Sequence, residues 1–218
     1  MIRSRSMKER RKGLLWEMAL ILLTVAACLY STGAGNIFGA KVDWSSQHSV
    51  FPEYFRQQFY RTGQFFPEFA LNIGGGQNIY NFSYYGLFSP VVLIGYLLPN
   101  VKMSDYMMVA SIACLAAAVI ILYRWLKSRE FTAAVSGMTA LMFLFAGPMI
   151  YQSSHQIMFV NYMPFLCLTF CGIDRYFEQK KSGLLIGGIF LMIMTSFYFS
   201  IGGILALGLY GIYRYART

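Results

Sequence analysis

Long stretches without charge limit what this chain can become. Residues 183–213 hold no charged side chain, and residues 14–35 hold one, Glu17. Residues 107–123, 131–151 and 157–173 are uncharged runs of similar kind. A helix needs about 20 mostly apolar residues to cross a bilayer, and inside lipid its backbone must satisfy its own polar groups. Across 218 residues, 57% are hydrophobic and 12% charged, against about 25% charged in soluble domains. A soluble enzyme, a disordered tail and a disulfide scaffold are excluded. The four cysteines, Cys28, Cys114, Cys167 and Cys171, fall inside apolar runs and read as small packing residues.

The net charge of +9 does not indicate nucleic acid, because the basic residues form short clusters between apolar runs, where topology signals belong. Residues 86–98 are short for a crossing and are expected to dip in and return, or to lie at the interface. Residues 183–213 are too long for one straight span and are expected to form a tight hairpin broken near Phe197. With the amino terminus cytoplasmic, fourteen of the 18 basic residues then fall inside. Four fall outside: Lys41, Arg56, Arg61 and Lys102. A basic start followed by an apolar run also fits a signal peptide, but the further apolar segments favour a first transmembrane helix. The expectation is an all-α, polytopic transmembrane bundle, a single membrane domain over residues 1–218, multi-pass in the cell membrane.

Residues 36–85 make a large first extracytoplasmic loop, rich in Phe, Tyr and Trp. Within it Phe51, Tyr54, Phe55 and Phe59 recur at helical spacing, with Glu53, Arg56, Gln57 and Arg61 opposite. Pro52 suits a first turn and Gly63 a helix end. This amphipathic helix is expected to lie in the interface, aromatic face down, with Arg56 and Arg61 at phosphate level. Gly74-Gly75-Gly76 reads as a flexible turn. Asn81-Phe82-Ser83 matches a glycosylation sequon, too short a pattern to use.

Just beyond the first span come Asp43, Trp44, Gln47 and His48, where bilayer meets water. The acidic residues assigned outside are Asp43, Glu53, Glu68 and Asp105. Glu53 falls on the solvated helix face, Asp105 is placed as an N-cap, and Glu68 has no evident task. Asp43 is the candidate for chemistry, set against an ordinary loop aspartate. Trp44 reads as a sugar-stacking ring or as part of the interfacial aromatic belt. Asp43, His48 and His155 lack recognisable metal spacing, and no cofactor is expected. Asn161 and Thr195-Ser196 either satisfy neighbouring helices or line a groove.

Asp43-Trp44 with Gln47, Phe51-Pro52-Glu53-Tyr54-Phe55-Arg56, Asn72-Ile73-Gly74-Gly75-Gly76-Gln77 and Tyr84-Tyr85-Gly86-Leu87-Phe88-Ser89-Pro90 are spaced motifs. Together with Pro164-Phe165-Leu166 and Gly172-Ile173-Asp174-Arg175-Tyr176, they resemble the amino-terminal part of the YfhO family, bacterial membrane proteins related to the GT-C glycosyltransferases. The resemblance implies a GT-C-like fold with a large first outer loop, and Asp43 in the place of that loop's aspartate. It implies transfer of a sugar from a polyprenyl-phosphate donor to a cell-surface polymer acceptor such as a teichoic acid. Members are several times longer, so this chain is expected to be an amino-terminal fragment.

On that reading Asp43 is the catalytic base. Trp44, Gln47, His48, Arg56 and Arg61 are the substrate-binding residues, with the arginines facing the leaving phosphate. The partners are the bilayer, the lipid-linked donor and the polymer, with no nucleic acid. The alternatives are a transporter or flippase of lipid-linked sugars, which needs an ionisable group at mid-membrane, and an inactive fragment that needs a partner chain.

Overall fold

The computed structural model describes residues 7–32, 39–40 and 42–217, with side chains from residue 11 onward. The chain is a bundle of α-helices, with one short hairpin of two-residue strands among the described residues. Helix α1 runs Met7–Thr32, α4 Met103–Ser128 and α7 Ile157–Gln179. These three are long and apolar enough to span a membrane alone. Helices α5 (Ala133–Leu144) and α6 (Gly147–His155) make a fourth candidate span, bent by 49°. Pro148 explains the bend: it lacks an N–H, and its ring collides with the carbonyl four residues back, at Leu144.

Contacts at one end fix the helix directions. Glu17, early in α1, forms a bidentate pair with Arg124, late in α4, at 2.9 and 2.7 Å. Asp174, late in α7, accepts from Trp125 of α4 and from Tyr210 of α9 (Phe197–Ala216). Helix α1 therefore rises where α4, α7 and α9 descend. Helix α8 (Gly183–Thr195) returns beside α7: a Cβ on Gly172 would fall 2.7 Å from the Leu185 backbone, and one on Gly188 would fall 2.4 Å from the Thr169 hydroxyl. Helices α8 and α9 form the expected hairpin, broken at Ser196, whose backbone is extended (φ −159°) and whose hydroxyl accepts from Phe199 N–H. At 13 residues α8 is about 20 Å long, well short of a bilayer core of about 30 Å. Residues 124–129, 175–181 and 214–217 share the end where α1 begins. That end is termed inner, and the opposite one outer.

The outer segment is folded rather than loose. Asp43 precedes a π-helical turn, Trp44–His48, and α2 follows at Val50–Thr62. Gly63 ends α2 with φ 74°, a left-handed geometry that glycine tolerates. Strands β1 (Phe69–Ala70) and β2 (Gln77–Asn78) pair antiparallel, Phe69 opposite Asn78. They close the glycine turn, where Gly74, Gly75 and Gly76 all have positive φ. A 3-10 turn, Ile79–Tyr85, leads to α3, Pro90–Gly95, only six residues long. Residues 86–98 therefore do not cross.

Two expectations are corrected here. The aromatic face of α2 packs on protein rather than lying against lipid. Phe55 is fully buried, Phe51 stacks on Phe82 and Tyr85 at 4.9 and 4.4 Å, and Phe59 lies 5.3 Å from Tyr96. Phe82 and Tyr85 of the loop, with Tyr96 just beyond it, thus supply the apolar surface that the membrane was expected to offer. Asp105 is not the N-cap of α4. Lys102 holds that position, and Asp105 stands in the first turn, where a carboxylate still favours the helix dipole.

Candidate functional site

Three pieces of chain meet at the outer end: the turn carrying Asp43 and His48, the 3-10 turn carrying Tyr84, and the start of α7. Ala40 N–H donates to the Ser154 carbonyl, tying the first turn to the end of α6. Tyr84 O–H donates to Gln156 Oε1 at 2.8 Å, and Gln156 caps α7. The Tyr84 ring stands edge-on to Tyr85 at 5.3 Å and to Tyr198, just past the α8–α9 break, at 5.9 Å.

Asp43 is half-buried and makes no capping hydrogen bond to its own turn. Its charge reaches both His48 and Tyr84 as the weakest of the influences on each, which puts it within electrostatic range of the two. His48 is 1% exposed and 5.7 Å from the Tyr85 ring. Burial pulls its pKa from the usual 6.5 down to about 4, against the opposing effects of a hydrogen bond with Gln156 and the charge of Asp43. The imidazole is therefore neutral near pH 7, and its Nδ1 has no hydrogen-bond partner among the described residues. For Tyr84, burial and then the neighbouring Tyr198, Tyr85 and Asp43 raise the pKa, so the phenol remains a donor. The result is a neutral imidazole and a phenol O–H, both contacting Gln156, with the Asp43 carboxyl within electrostatic range.

A group whose pKa falls on folding binds its proton more readily when unfolded, so stability drops with pH. For His48 the loss runs from about pH 6.5 to pH 4 and amounts to about 3 kcal/mol. In His48→Gln that slope flattens, which unfolding measured across this pH range will reveal.

The remaining predicted site residues are placed as follows. Gln47 is half-buried on the same turn as His48, and Arg61 is exposed in the last turn of α2. Trp44 is fully buried, with its ring against Gly39, where a Cβ would fall 2.2 Å away. It is a core residue of the outer segment, with no face open to a sugar. Arg56 is 5% exposed and donates to the Leu98 and Val101 carbonyls at 2.7 Å each and to Glu53 at 2.6 Å. Glu53 also accepts from Met103 N–H. The pair joins α2 to the start of α4, because carbonyls in the turn after α3 need donors, so Arg56 is buried while Glu53 stays partly exposed. Lys41 lies outside the described residues.

His155 is stacked on Tyr151 at 4.1 Å and bonded to the Tyr151 carbonyl and the Ser154 hydroxyl. Thr195 and Ser196 bond within their own helices. Asn161, one turn into α7, is fully buried, and neither amide atom has a partner among the described residues. Sequence reasoning missed Tyr84 and Gln156 as members of the site. Their only signal was a tyrosine pair in one quoted motif and an amide just before a span.

Comparison with known proteins gives one match: the family model described as "Bacterial membrane protein YfhO" covers residues 18–218. No curated protein and no solved structure matches.

Proposed function

This chain belongs to the YfhO family of bacterial membrane proteins, and from that premise we propose that it is a membrane glycosyltransferase. In this reading it moves a sugar from a polyprenyl-phosphate carrier to a cell-surface polymer such as a teichoic acid. The observation that carries the reading is Asp43, half-buried at the end opposite the basic clusters and within electrostatic range of a neutral His48 and the Tyr84 hydroxyl. The excess of basic residues at the inner end supports a cytoplasmic side there, and with it an outer position for Asp43.

The reaction inverts the anomeric centre. An acceptor hydroxyl oxygen attacks the anomeric carbon while Asp43 takes its proton. The bond from that carbon to the phosphate oxygen breaks, and its electron pair leaves with the lipid phosphate. A nearby cation stabilises that charge, and Arg61 is the exposed arginine of α2 that can serve. Gln47, half-buried on the same turn as His48, offers hydrogen bonds to sugar hydroxyls or the head group. Tyr84, whose proton goes to Gln156, keeps lone pairs that can accept from a hydroxyl beside the base.

The test uses the full chain in vesicles with a labelled polyprenyl-phosphate sugar and the polymer. Label entering the polymer supports the reading. Labelled lipid that changes leaflet with its sugar still attached identifies a flippase instead, and transfer only after a second chain is added identifies a subunit of a larger enzyme. The flippase reading draws on the bent α5–α6 pair and the α8–α9 break. Against it, Glu17 and Asp174 pair at the inner end and leave mid-membrane without an acid among the described residues.

A further inference from the structure

A cleft of about 820 Å³ opens at the inner end, between the start of α1 and the start of α5. It lies at the far end of the bundle from Asp43 and takes no part in the proposed transfer. Its wall is apolar: Leu15, Trp16 and Ala19 line it. The indole of Trp16 is set by Gly137 of α5, where a Cβ would fall 2.4 Å from the ring. Its rim is charged, with Lys12 and Lys127 against Glu130. Lys127 Nζ donates to the Phe131 carbonyl at 3.0 Å, which uses one of its three N–H donors. The rim keeps a net positive charge, and it stands where the span Arg11–Thr32 begins and α4 ends. That is head-group depth.

We infer that this cleft binds an anionic glycerophospholipid of the inner-side leaflet, its phosphate on Lys12 and Lys127 and an acyl chain along Leu15, Trp16 and Ala19. The division of the cleft selects the ligand. A soluble anion would leave the apolar wall uncovered, and a purely apolar helix would leave two ammonium groups facing hydrocarbon, which is costly. A molecule with a phosphate at one end and a chain at the other satisfies both parts. Because Glu130 opposes a second negative charge, a phosphodiester suits the rim better than a phosphomonoester.

Trp16 supplies the readout. The full chain is placed in phosphatidylcholine vesicles containing a minority of phosphatidylglycerol, with brominated chains on one lipid or the other to quench tryptophan on contact. The Trp16 signal is the difference between the wild-type chain and Trp16→Phe. Brominated phosphatidylglycerol is expected to quench that signal preferentially, and each of Lys12→Gln and Lys127→Gln to reduce the preference about fivefold. Native mass spectrometry of the same proteins is expected to show a retained phosphatidylglycerol that the double variant loses. Lys12 is exposed, so its single variant reports even if the double one folds poorly. Equal quenching by the two lipids, a preference that survives loss of the lysines, or a Trp16 that neither lipid reaches would each overturn the inference. The last outcome would mean that protein covers the cleft.

Discussion

Asp43→Asn is expected to slow the proposed sugar transfer by about 10²–10⁴-fold, the usual contribution of a positioned general base, and to leave the unfolding temperature unchanged. Asparagine matches the shape of aspartate but cannot take the acceptor's proton. The fold is indifferent because Asp43 is half-buried and makes no capping hydrogen bond. The loss falls in kcat and kcat/KM together, since proton removal occurs only in the transition state. Steady-state transfer from a polyprenyl-phosphate sugar measures it. A rate within threefold of wild type, well short of the range of about 10²-fold or more, removes Asp43 from the chemistry.

Asp174→Ala has the largest expected effect on stability, about 3–5 kcal/mol, the range for removing one partner of a buried ion pair. Asp174 is 6% exposed and joins three helices. Its oxygens accept from Trp125 Nε1 and Tyr210 O–H at 2.7 Å each, and form ion pairs with Arg214 Nε at 3.2 Å and Arg129 Nη1 at 3.8 Å. Alanine leaves the indole N–H and the phenol without that acceptor and removes the anion facing two guanidinium groups. Asp174→Asn retains an acceptor oxygen and loses less. Glu178, half-exposed and paired with the same arginines, is expected to cost under about 1 kcal/mol when removed. Denaturant unfolding in detergent, followed by tryptophan fluorescence, separates the three. Equal losses for Asp174→Ala and removal of Glu178 would mean that the buried junction does not hold these helices together.

Features governed by local physics were legible in the sequence. Apolar run length and basic clusters gave the spans, the non-crossing segment 86–98 and the shared side of the basic ends. Pro52, the aromatic spacing and Gly63 gave α2 almost to the residue. What failed was partnership across distance. The period of α2 identifies an apolar face but does not reveal that Phe82, Tyr85 and Tyr96 cover it. Nor does it reveal that Arg56 reaches carbonyls more than 40 residues away. Trp44 looked like an interfacial ring until the close approach of Gly39 enclosed it. Tyr84 meets Gln156 across 72 positions. In the sequence Asp174 reads only as part of a spaced motif, although Trp125, Arg129, Tyr210 and Arg214 sit at matching depths near the ends of two other runs. The short span of α8 was hidden by the uncharged stretch it shares with α9.

The proposed function requires Asp43 on the extracytoplasmic side, and single cysteines test that placement. Ser45 and Lys180 are both exposed, at opposite ends of the bundle, while the native cysteines lie in the helical runs. With a membrane-impermeant maleimide on intact cells, Ser45→Cys is predicted to label at once and Lys180→Cys only after the cells are opened. The reverse pattern would put Asp43 in the cytoplasm and contradict the proposal.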